Sequence, residues 1–220
     1  MHKSLIKGSL VLLIAFNIFN VLNFVFHFSM VRLLSVIDYG TLVTLFTITY
    51  ILAVFSESIQ IIITKYSAEE KDEGKLKNLL KKSFRKAVLV SVGVFFIYAI
   101  SSVFLSDLLK IDYSLLLLNG VIIFSIFFAP ITRGVMQGKK MFKSLGTNMV
   151  IESAVKLSLS IIFVMIGWRV YGALIGTIIG MTFAIVISFF KLSNIMKSKE
   201  SPAATEGIYS YSLQTFVVIL

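Results

Sequence analysis

Six predominantly apolar runs, broken by short charged stretches, constrain this chain more than any other feature. Each is long enough to supply the ~20 residues with which a helix crosses the hydrocarbon core. In lipid, every backbone N–H and C=O must find its partner within the protein, and a run of this length does so as a helix. Composition agrees with the pattern. Hydrophobic residues make up 57% of the chain and the mean hydropathy is +0.93, against ~45–50% apolar content in soluble domains. The expected fold is an all-α integral membrane protein: a six-transmembrane-helix lobe plus the start of a seventh helix.

The net charge of +10 does not imply nucleic acid. The basic residues sit between apolar runs, where membrane topology and anionic headgroups account for them. No basic stripe interleaved with aromatics accompanies them. Cysteine is absent and the histidines number two, His2 and His27, too few for a thiolate or histidine metal centre. No metal or other cofactor is expected.

The first run, about Ser9 to Leu33, exceeds the ~7–15-residue core of a signal peptide and reads as a transmembrane helix. Asn20, Asn23 and His27 fall on one of its faces, either as interhelical hydrogen-bonding groups or as the wall of a solvated cavity. Asp38 can cap the second helix, about Tyr39 to Thr64, in which Glu57, Gln60 and Thr64 follow at helical spacing. From Lys65 to Lys86 the chain is charged. Leu76, Leu79, Leu80 and Phe84 give its second half the period of a basic amphipathic helix lying on the membrane surface.

The third and fourth helices span about Ala87 to Leu109 and Leu115 to Val135, and Pro130 should kink the latter. The fifth covers about Met149 to Trp168 and the sixth about Val170 to Leu192. Gly172, Gly176 and Gly180 give the sixth a seam of small residues for close helix packing. Residues 193–207 read as a polar cytoplasmic linker after a lobe of residues 1–192. Residues 208–220 begin a seventh helix too short to cross. With the N-terminus in the cytoplasm, 17 Lys/Arg lie on that side, three (Arg32, Lys110, Arg169) lie outside and Lys156 is intramembrane. That asymmetry sets the expected orientation in the cytoplasmic membrane.

No hydrolase elbow, phosphate-binding glycine loop or dinucleotide fingerprint occurs, so nothing points to an enzyme. The intramembrane charges carry what functional signal there is. Glu57, Arg133, Glu152 and Lys156 all fall in the cytoplasmic half. Glu152 and Lys156 stand in the order that favours an i, i+4 pair. They serve either as a satisfied structural network or as a cationic cavity wall that attracts an anionic head.

Four stretches carry a family resemblance: L-L-S-V-I-D-Y-G-T-L from Leu33, S-E-S-I-Q-I-I-I-T-K-Y-S-A-E from Ser56, R-G-V-M-Q-G-K-K-M-F from Arg133 into I-E-S-A-V-K-L, and V-Y-G-A-L-I-G-T-I-I-G from Val170. In this order and spacing the chain resembles the N-terminal half of polysaccharide-biosynthesis flippases. These belong to the multidrug/oligosaccharidyl-lipid/polysaccharide exporter superfamily. The resemblance implies two six-helix lobes around a cavity that moves a lipid-linked oligosaccharide. It also implies an acidic residue near Glu57, a basic one near Lys65 and the R-G-x-x-Q-G pattern at Arg133–Gly138.

Arg32, Arg133 and Lys156 are then the cations available to a diphosphate. Membrane lipids and a second lobe or another copy are the expected partners. A cation-coupled multidrug antiporter of the same superfamily is one alternative, with Glu57 binding the ion. A non-transporting membrane fragment or scaffold is another, since the chain supplies one lobe and must be a fragment or pair with a second half.

Overall fold

The computed structural model describes residues 2–202, all of whose regular structure is helical. In order these are α1 (His2–Leu33), α2 (Val36–Glu69), α3 (Glu73–Leu109), α4 (Tyr113–Gly120), α5 (Ile122–Gly138), α6 (Phe142–Phe163), a π-helical turn (Val164–Trp168), α7 (Arg169–Lys191) and α8 (Ser193–Lys197). Among the described residues, five helical runs are long and apolar enough to cross a membrane. This makes the chain a multi-pass membrane protein. The fifth run, Phe142–Lys191, covers 50 residues, about 75 Å at 1.5 Å per residue, and it folds back on itself. The expected seventh helix lies outside the described residues.

The turns follow from local chemistry. Ser35 is extended (φ −65°, ψ 160°), and its side chain accepts from Asp38 N at 3.1 Å. Ser35, not Asp38, is therefore the cap of α2, and the Asp38 carboxylate is left for other partners. Asp72 caps α3 by accepting from Gly74 N at 2.7 Å. Gly167, at φ 101°, makes the turn between α6 and α7, a conformation that a Cβ disfavours.

Past that turn α7 runs back along α6: Gly172 packs on Phe163, Gly176 on Ser160 and Gly180 on Lys156. A Cβ on Gly176 would lie 2.5 Å from Ser160 N. Only glycine permits that approach, so the small-residue seam is the contact that closes this hairpin.

A further sequence expectation is revised. The basic amphipathic stretch is not a separate surface helix but the first turns of α3. Its leucines, Leu76, Leu79 and Leu80, are at most 1% exposed and pack with Val135, Met136, Leu192 and Ile195. The apolar face meets protein, not lipid, because α5 and α8 cover it. The regular hydrogen-bond ladder of the fourth run breaks at Val121, between α4 and α5, while Pro130 sits inside α5.

Residues just after Leu192 form the short α8 and meet α3. Ile195 is buried, Lys77 Nζ donates to Ser198 O at 2.8 Å, and Lys81 pairs with Glu200. The Lys81 ammonium, then the Asn78 amide, hold the exposed Glu200 carboxyl below its usual range.

α1 packs along α6, and α2 along α5. Large side chains of α1 and α3, among them Phe24, Phe96, Ile100 and Phe104, point outward, as a lipid-facing surface requires. The interior holds two apolar clusters. One is built around Phe26, Phe46, Leu116 and Leu174, the other around Ile63, Leu79, Ile131 and Met136.

Candidate functional site

Between α1, α2, α5 and α6 lies a cavity of about 660 Å³, lined by Phe16, Glu57, Gln60, Ile61, Thr64, Lys65, Arg133, Gln137 and Met149. Helical spacing builds it. Glu57, Gln60 and Thr64 share one face of α2, and Arg133 and Gln137 share one face of α5. Gln60 Nε2 donates to Gln137 Oε1 at 2.9 Å, and Thr64 Oγ1 donates to the same oxygen at 3.4 Å. These two bonds tie the floor of α2 to α5. Glu57 is exposed into the cavity and makes no ion pair among the described residues.

Arg133 reaches from the cavity wall into α6. One of its terminal nitrogens pairs with Glu152, and its Nε donates to Asn148 Oδ1 at 3.2 Å. Asn148 is itself held by donating to Ala184 O at 2.6 Å and Ser188 Oγ at 3.1 Å on α7. The sequence pairs Glu152 with Lys156 along one helix, but the structure pairs Glu152 with Arg133 across two. A guanidinium offers a planar fork to a buried carboxylate, which an ammonium one turn away does not.

Lys156 turns instead toward α1, where its Nζ donates to Asn23 Oδ1 at 2.9 Å and lies over the Phe26 ring at 4.2 Å. His27 adjoins this group, with Tyr39 Oη 3.4 Å from its Nδ1. A polar seam thus runs from Lys65 and Glu57 through Arg133 and Glu152 to Lys156, Asn23 and His27.

Two expected residues stand apart. Asn20 is exposed on α1 and does not line the cavity. Arg32, near the far end of α1, lies exposed with its guanidinium 5.4 Å from the Phe28 ring. At that far end a smaller cavity of about 350 Å³ is lined by Asp38, Asp112, Arg169 and Tyr171. There Arg169 grips Asp38 with two bonds of 2.9 Å.

Sequence reasoning passed over Asn148, although its spacing, four residues before Glu152 and eight before Lys156, places it on their face. It also passed over Asn119, whose amide links Leu45 O, Thr49 and the Tyr98 hydroxyl across α2, α3 and α4.

Comparison with known proteins places this geometry. The model of the family described as polysaccharide biosynthesis protein matches residues 5–220. Among solved structures, a MOP superfamily transporter from Pyrococcus furiosus aligns over 99% of this chain and 51% of its own, at 14% identity and TM-score 0.72. A MATE in the straight conformation aligns over 98% and 52%, at 16% and 0.76. An outward-facing multidrug resistance MATE family transporter of the MOP superfamily aligns over 99% and 51%, at 16% and 0.72. The chain therefore has the fold of one half of these transporters and spans about half their length. No curated protein sequence matches it.

Proposed function

The chain belongs to the polysaccharide biosynthesis protein family, and from that premise we propose that it forms one lobe of a flippase-type membrane transporter. Its cargo is an isoprenoid-diphosphate-linked oligosaccharide, and its mechanism is alternating access across the cytoplasmic membrane. In this reading the hairpin at Gly167 makes six crossings of the five apolar runs. Residues 193–207 lead toward a second lobe, and the N-terminus is cytoplasmic.

The observation that carries the reading is the charge of the cavity. Two cations, Lys65 and Arg133, line it beside Glu57, and Arg133 keeps its pair with Glu152 at the wall. Charge-assisted hydrogen bonds from Lys65 and from the Arg133 N–H groups not used by Glu152 and Asn148 suit the oxygens of a diphosphate. The oligosaccharide head enters the cavity while the isoprenoid tail stays in lipid. No bond is made or broken, so the lobe's task is to replace the water lost by the head group.

Glu57 favours a second reading. A carboxylate without an ion pair in an intramembrane cavity is also the group a cation-coupled antiporter would use. Binding to the purified chain in nanodiscs separates the two. The flippase reading predicts salt-sensitive binding of geranyl diphosphate that weakens about tenfold on Lys65→Gln, the loss of ~1.4 kcal/mol expected for one charge-assisted contact. Binding of tetraphenylphosphonium that depends on Glu57, with none of geranyl diphosphate, would establish the antiporter instead.

A further inference from the structure

Two cations of the polar seam, Arg133 and Lys156, are held in different ways. Arg133 has a carboxylate. Lys156, although Glu152 stands one turn away, belongs to no ion pair within 4 Å among the described residues. Its Nζ rests on one neutral oxygen and two aromatic faces: Asn23 Oδ1 at 2.9 Å, the Phe26 ring at 4.2 Å and the Phe46 ring at 5.4 Å. A desolvated ammonium over ring faces is the arrangement by which proteins recognise organic cations.

The walls of this arrangement are fixed by other contacts. Phe26 and Phe46 are 0% and 4% exposed and their centroids are 5.9 Å apart. The His27 ring meets both edge-on, at 5.3 and 6.1 Å. Asn23 Nδ2 donates to Phe19 O at 2.8 Å, which aims Oδ1 at the ammonium. Behind Lys156, Gly180 of α7 abuts its backbone.

We infer that Phe26, Phe46 and Asn23 form a binding site for a primary ammonium ion, which the chain fills with its own Lys156 side chain. The site is closed to mobile organic cations while Lys156 is present. Lys156→Ala removes three methylenes and the amine, which are the heavy atoms of n-propylammonium, and leaves the Glu152 pair intact. The inference holds whichever substrate the cavity carries.

Thermal unfolding of the purified full chain in detergent tests it, with n-propylammonium chloride titrated against sodium chloride at equal ionic strength. The Lys156→Ala chain is expected to show a saturable rise in Tm. Half-saturation should fall near millimolar, because four heavy atoms cannot bind tighter than roughly tens of micromolar. The native chain and Lys156→Met, whose site remains filled, should show no such rise. Adding Phe26→Leu to Lys156→Ala should abolish it, and 1-propanol should not reproduce it.

If Lys156→Ala folds poorly, the same ligand should raise the yield of monodisperse chain on solubilisation. The inference is overturned if Lys156→Ala shows neither saturable stabilisation nor rescue, if the native chain responds equally, or if the response survives Phe26→Leu.

Discussion

At the residue scale, the decisive fact is which carboxylate meets which cation. Glu152 and Lys156 are both buried, at 7% and 8% exposure, and the sequence makes them look like one helical pair. Spacing along a helix reports only partners on that helix, so Arg133, 19 residues earlier, is invisible to it. That Arg133, Glu152 and Lys156 matter was legible from their presence in apolar runs, where a charge must have a reason. Their partners were not legible, because partner choice depends on how α5 and α1 lie against α6. The pairing predicts a specific pattern of stability. Arg133→Ala, which leaves Glu152 buried and alone, should destabilise the chain by about 3–5 kcal/mol. Arg133→Leu combined with Glu152→Leu should recover most of that loss, whereas Glu152→Leu and Lys156→Leu should not compensate each other. Unfolding of the single and double variants in detergent would show strictly additive losses if the pair were not formed.

At the element scale, helix existence was written in the apolar runs, and helix ends were less so. α3 begins at Glu73, well before the charges give way to apolar residues. Its early leucines can bury themselves on α5 and α8, and packing overrides the polarity of the stretch. The Gly172–Gly176–Gly180 seam was legible as a packing surface, but its partner, α6, was not. Gly176→Ala should cost roughly 1–3 kcal/mol through overpacking against Ser160, while Gly93→Ala, with nothing near its Cβ, should be neutral or slightly stabilising. Equal effects at the two positions would deny the hairpin contact. Orientation belongs at this scale too. Cysteine introduced at the exposed Ser114 should react with an impermeant maleimide in intact cells, and cysteine at the exposed Ala68 should not. Labelling at Ala68 from outside would invert the proposed topology.

At the scale of the whole molecule, the chain aligns with about half the length of a MOP superfamily transporter and of a MATE. In transporters built from two repeats the substrate site lies at the interface of the repeats, and transport is the motion of one lobe against the other. In the proposed reading the seam from Lys65 to His27 is half of a binding surface. Its exposed carboxylate, Glu57, then meets a facing wall, because a polar group left against hydrocarbon costs on the order of several kcal/mol. The measurement that tests this most directly is translocation of a fluorescent isoprenoid-diphosphate-linked oligosaccharide in proteoliposomes, read as its accessibility to external dithionite. The chain reconstituted as a monomer should leave the lipid where it was placed, and the chain joined to a second six-helix lobe should equilibrate it between leaflets. Rapid equilibration by the monomeric chain alone would contradict the two-lobe account.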